Sequence, residues 1–372
     1  MKKILFATTA LAGLAIGGAA SADIALFGSA RLGLGYNIQN NGTLDLEDGD
    51  VNDDGVVTSL KGSEDFRAIS RIRWGATMTG ESDSGITFGA SIRADNAGGG
   101  GTGPTSASGQ IEGNVFVSGA WGTLTYGDTN GADEQHVGDA SGSYSVTGLG
   151  DLNETPFISN GGGFGDDRIS FANNPEARPT VRYDYNFGGF GVSASTNRNL
   201  NDIGVGASYT LDFGQGSVTG GVGYYDFNEF DTFVSGTPVT VRGGEQWSVG
   251  LSGAFGGFSA GVVYTAASSE SAADEASGDL DVLNVGGAFT LDAWTFGAFY
   301  ATVLTGNGSL DAYDGRDAYG ASVQYDLGGG ATVNFGVSQT YGRDAVGDPA
   351  DALFIPEIED GTVADFGIKM DF

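Results

Sequence analysis

Chemistry that needs a thiol, or several imidazoles, has little material in this chain. Its 372 residues include no Cys and one His, against 47 Asp and Glu and 16 Lys and Arg. Disulfide frameworks and Cys-ligated zinc are excluded with the cysteines. His136 stands near Ser141 and Ser143, the residue types of a base and its nucleophile. With no framework holding that Ser and His together, His136 reads as an incidental loop residue, and no enzymatic activity is expected.

A second set is Asp50, Asn52 and Asp54, followed by Gly55. Oxygen donors at alternating positions before a glycine open a calcium loop. The twelfth position of such a loop is Lys61 rather than a bidentate Glu. Two readings stay open: Ca2+ held structurally by the loop, or a solvated acidic loop. No other cofactor is expected.

The third set is basic. Arg67, Arg71 and Arg73 share one parity, while Phe66, Ala68, Ile72, Trp74, Ala76 and Met78 share the other. Arg31 and Arg93 follow the same rule in neighbouring segments. If the apolar face meets lipid, parity sends all five to the water side, because Arg on the lipid face at mid-depth costs about 2 to 4 kcal/mol. Same-face neighbours lie roughly 7 Å apart, inside a Debye length of about 8 Å at physiological salt. Such a wall repels itself unless acids face it. Residues 128–178 carry Asp128, Asp133, Glu134, Asp139, Asp151, Glu154, Asp166, Asp167 and Glu176 against two Arg. Fifty residues without regular structure call for a function. Folded inward, they would narrow a pore and set carboxylates opposite the Arg wall, orienting dipolar solutes and separating cation and anion paths.

Those side chains require strands. Even positions from Ile24 to Tyr36 are apolar or small, with Ser29 and Arg31 interleaved, and the same period of two recurs through Ile86 to Ile92, Ile203 to Phe213 and Tyr319 to Leu327. A soluble sandwich would need a second apolar layer. Seven tight connections alternate with eight long polar ones, which implies sixteen strands. The expected fold is all-β: a 16-stranded antiparallel transmembrane β-barrel with short periplasmic turns, long outer loops and the third loop folded into the lumen. Glycine makes up 67 residues, falling in turns and on the inward face, where it leaves room for water. Upstream, Lys2 and Lys3, an apolar stretch to Ala20 and the Ala20-Ser21-Ala22 motif form a signal peptide over 1–22, leaving 23–372 as one barrel domain. The formal charge of −31 repels phosphate backbones, so nucleic acid is no partner.

Several stretches resemble the general porins of alpha-proteobacteria, the Rhodobacter type: DIALFGSARLGLGYN at 23–37, RIRWGATMTGESDSGITFGASIRA at 71–94, GNVFVSGAWGTLTYGD at 113–128, YDLGGGATVNFGVSQ at 325–339, and 361–372. The terminal Phe372 resembles the signal read by the outer-membrane assembly machinery. The resemblance implies a homotrimer in the outer membrane that passes small hydrophilic solutes by passive diffusion. Net charge adds an expected weak cation preference, and any Ca2+ held at Asp50, Asn52 and Asp54 in the outer loop would bridge to lipopolysaccharide phosphates. A solute-specific channel for a sugar or an anion, and a structural or adhesive barrel, are the alternatives.

Overall fold

Strict alternation of large apolar and small polar residues cannot close a helix face, but it gives a strand one greasy and one wet side. In the computed structural model, which describes residues 23–39, 44–95, 113–140, 142–160, 180–234, 237–271, 278–345, 349–350 and 356–372, these segments are strands. The segment 1–22, read as a signal peptide, lies outside the described residues. In chain order the barrel strands are β1 (Asp23–Tyr36), β2 (Phe66–Glu81), β3 (Thr87–Asp95), β4 (Gly113–Gly119), β5 (Gly122–Gly127), β6 (Thr180–Phe187), β7 (Phe190–Thr196) and β8 (Ile203–Asp212). They continue with β9 (Gly216–Phe227), β10 (Thr237–Phe255), β11 (Phe258–Ser271), β12 (Gly278–Leu291), β13 (Trp294–Gly306), β14 (Asp317–Gly328), β15 (Ala331–Gln339) and β16 (Thr362–Asp371).

Each strand pairs antiparallel with its neighbours, and β1 pairs with both β2 and β16, so the sixteen strands form a closed barrel without an edge. Connections alternate between tight turns at one end and long segments at the other. Gly188 and Gly256 have φ of +60° and +59° in two-residue turns, a conformation that suits glycine. At the long-loop end, Leu46–Asp48, Ser59–Gly62 and Glu357–Ile358 make a small sheet that ties the first outer loop to the last.

Ile24, Leu26, Leu32 and Leu34 point outward and are exposed, while Arg31, between them, is buried inside. Aromatic pairs mark both rims. Phe187 with Phe190, Phe258 with Phe289 and Trp294 with Tyr325 lie at the short-turn end, their centroids 5.4, 4.3 and 4.6 Å apart. Tyr224 with Trp247, at 4.4 Å, lies toward the long-loop end. Two such belts are what a lipid-spanning barrel carries.

The lumen departs from the small, polar lining expected from sequence. Tyr225, Phe227, Leu280, Val282 and Val303 are buried inward and pack around Ile158, while Phe299 and Ala318 pack around Leu152. Ile158 and Leu152 belong to the connection between β5 and β6. The barrel therefore holds an apolar core inside its own wall, because a loop lies there to cover it.

Candidate pore constriction

The third long connection leaves β5 at Asp128 and turns at once into a short helix, α1 (Ala132–Val137). Asp133 and Glu134 lie in its first turn, where negative charge suits the helix dipole. Gly138, at a φ of +68°, ends it. The helix sits flat on the inner wall. A Cβ at Gly206 of β8 would collide with the Ala132 carbonyl, and one at Gly221 of β9 with that of His136. Part of the inward glycine thus makes room for a peptide backbone rather than for water.

Polar bonds fix the helix in place. The Ala132 N–H donates to Ser195 Oγ at 2.9 Å, and the His136 ring bridges two strands, with Nδ1 2.8 Å from Ser208 Oγ and Nε2 2.8 Å from Ser193 Oγ. Ser193 in turn donates to Asp184, which also accepts from Arg182 Nε at 2.9 Å. Burial holds the His136 pKa below its usual value, opposed by Asp184 and assisted by Arg182. His136 is therefore a pin between loop and wall, not an incidental residue. Sequence held no signal for this, because Ser193 and Ser208 lie 57 and 72 residues away.

Beyond α1 the loop follows the wall. The Tyr144 N–H donates to Ser322 Oγ on β14 at 2.7 Å, and Asn334 Nδ2 on β15 donates to the Tyr144 carbonyl at 2.7 Å. The Val146 and Thr147 N–H groups and the Thr147 hydroxyl all donate to the Asp365 carboxylate on β16, while Arg31 on β1 donates to the carbonyls of the same two residues. The chain then doubles back. Asn284 Nδ2 on β12 donates to Thr155 Oγ1 at 3.0 Å, and Gln246 on β10 accepts from the Ile158 N–H and donates to the Pro156 carbonyl. The loop is thus folded into the lumen as a two-layer band. Its wall-side bonds reach from β6 round to β16 and β1.

The five arginines read from sequence as a basic wall have different surroundings. Arg31 is 5 % exposed and is bonded to loop carbonyls. Arg67 pairs with Asp45 of the first outer loop. Arg71, Arg73 and Arg93 point inward and are half-buried. Lys369 joins them: it lies directly opposite Arg31, which lies opposite Arg71, so three cations share one rung. Alternation in β16 placed Lys369 inward and could have revealed it.

The described acids of the loop do not form one face. Asp133 and Glu134 are buried against the wall under α1, and burial pushes the Asp133 pKa up to about 6. Asp139 lies on the exposed edge and accepts the Thr155 N–H at 2.8 Å. Asp128 and Glu154 are half-buried at the loop's base and on its returning layer. Asp151 lies in the 3-10 turn Leu149–Asn153. Asp166 and Asp167 lie outside the described residues.

Asp50, Asn52 and Asp54 occupy a hairpin tip of the small outer sheet. Asn52 Oδ1 accepts the N–H groups of Asp54 and Val56 at 3.1 and 2.9 Å, an Asx turn that accounts for the motif's spacing. Among the described residues, no three His, Cys, Asp or Glu converge as metal ligands. The Phe372 backbone pairs with Gly28, and its side chain is 72 % exposed on the outer surface.

Known proteins agree with this architecture. The Gram-negative porin family profile matches residues 7–345. A porin of Rhodobacter capsulatus is 30% identical over 338 residues, covering 85% of this chain and 94% of that protein. A porin structure refined at 1.8 Å superposes with a TM-score of 0.59 at 24% identity, over 94% of this chain and all of that one. A triple mutant of Rhodopseudomonas blastica porin superposes with a TM-score of 0.51 at 18% identity over the same shares. With its closed sixteen-stranded barrel and a third loop banding the lumen, the chain belongs to the Gram-negative porin family, outer-membrane channels for general diffusion.

Proposed function

We propose that solutes cross through the part of the lumen left between the loop band and the inward arginines of β2 and β3, with a weak preference for cations and with no chemistry performed on them. The observation that carries this reading is the loop's path: hydrogen bonds from Ala132 to Ile158 hold the band against the wall from β7 round to β1, and β2 and β3 lie beyond that stretch in the strand order. Acids outnumber bases 47 to 16, and a vestibule of that sign raises the local cation concentration. The family resemblance supports a homotrimer. The outward, exposed Phe372 at the end of β16 supports delivery by the outer-membrane assembly machinery.

Reconstitution in a planar bilayer under a KCl gradient tests the reading. Discrete ion-conducting steps with a small reversal potential on the cation side are expected. Strong anion selectivity would overturn the preference, and absence of steps would overturn the channel.

A further inference from the structure

Two residues of the third loop are held by charges of both signs. Val146 and Thr147 each offer one N–H and one carbonyl, and the wall engages all four. Asp365 receives the two N–H groups at 3.0 and 2.7 Å, and the Thr147 hydroxyl at 2.7 Å as well. Arg31 donates to both carbonyls, at 3.1 Å to Val146 and also to Thr147. Arg31 is 5 % exposed and Asp365 2 %, so neither is spent on bulk water.

The position of this pair in the fold is specific. Arg31 lies on β1 and Asp365 on β16, the two strands whose pairing closes the barrel. In that register Arg31 faces Lys369 and Asp365 faces Gly35, and the rung between them is Gly33 opposite Gly367. Two glycines facing each other put no side chain between the cation and the anion, which leaves a peptide free to lie across the seam. Carboxylate and guanidinium suit the two halves of that peptide: the first only accepts, the second only donates, and each can make several bonds at once. The arrangement also explains how Arg31 tolerates Lys369 and Arg71 on either side, since like charges directly opposed are unfavourable. Its charge is turned onto loop carbonyls and lies near Asp365.

We propose that Arg31 and Asp365 are positioning residues for permeation: a clamp across the closing seam that holds the Val146–Thr147 turn against the wall and so sets the width of the water path. The proposal rests on the loop band bordering that path. The two readings fail differently, because a barrel without conducting steps refutes the path, while the clamp is judged only by differences among conducting variants.

The test is single-channel recording of the full-length protein in planar bilayers, with strand content by circular dichroism confirming the barrel of each variant. Asp365→Asn leaves one acceptor oxygen and turns an NH2 toward loop donors. Thr147→Pro removes two of the loop's three donors to Asp365, the Thr147 amide and hydroxyl, without touching the barrel. Both are expected to raise conductance and open-channel noise. Because both break the same contact, the double variant should differ little from either single one. Arg31→Lys, which keeps a donor, should lie nearer to wild type than Arg31→Met. Should Asp365→Asn not fold, Thr147→Pro and Thr147→Val still decide, since they change the loop alone. Wild-type conductance and noise in the Thr147 variants, or fully additive effects in the double variant, would overturn the clamp.

Discussion

His136 and Asp133 sit one turn apart on α1, and burial acts on them with opposite sign. A neutral imidazole has one N–H and one lone pair, so it satisfies both Ser193 and Ser208 without a charge. Its pKa lies below the ordinary 6.5 in the docked loop; docking is therefore strongest above that value and weakens as the pH falls below it. Asp133 runs the other way. Its pKa rises from 3.8 to about 6, so docking carries no charge penalty below 3.8, weakens as the pH climbs toward 6, and stays level above. Asp133→Asn is expected to strengthen loop docking at neutral pH by up to roughly 3 kcal/mol, the linkage value of a shift of this size. Open-channel noise recorded from about pH 4 to about pH 8 checks this window. The variant should lose the rise in noise between the two pKa values, and a rise that persists would assign it to another group. Neither role was readable from the residues, because a buried acid and a surface acid in a loop look the same until the opposing wall is known.

At the scale of elements, the loop band stays in place through steric fit and paired polar groups together. Gly206 and Gly221 admit the backbone of α1 where any Cβ would meet a carbonyl oxygen. Gly206→Val should lift the helix from its seat. Gln246→Leu should loosen the returning layer, since it strands the Ile158 N–H and the Pro156 carbonyl, at about 1 to 3 kcal/mol for each buried group left without a partner. Amide hydrogen exchange over residues 149–160 reads the second effect; unchanged protection there would show that the apolar contacts of Ile158 and Leu152 suffice. The strands themselves were legible, because period two is a local property. Their inward apolar residues were not: Tyr224 and Tyr225 are adjacent aromatics on opposite faces of β9, and only the loop's presence explains why the inner one is greasy.

For the whole molecule, the proposed selectivity is a contest between a diffuse negative vestibule and a local basic rung. Screening separates them, because the Debye length shrinks from about 10 Å at 0.1 M salt to about 3 Å at 1 M. The proposed cation preference should fade as KCl is raised. Arg71→Glu, a change on the rung it shares with Arg31 and Lys369, should shift the reversal potential toward cations at both salt levels. An equal shift at low salt that vanishes at high salt would place Arg71 outside the narrow part of the path. Strand number, the alternation of short and long connections and the parity of Arg31, Arg67, Arg71, Arg73 and Arg93 were readable in the sequence, since each depends on neighbours one or two residues away. The tertiary structure alone decided which of those arginines meets water and which holds a loop, and which acids are buried. Arg31 lies 116 residues from Thr147, and Thr147 lies 218 from Asp365. Contacts at such separations exist only once the barrel has closed and the loop has folded back inside it.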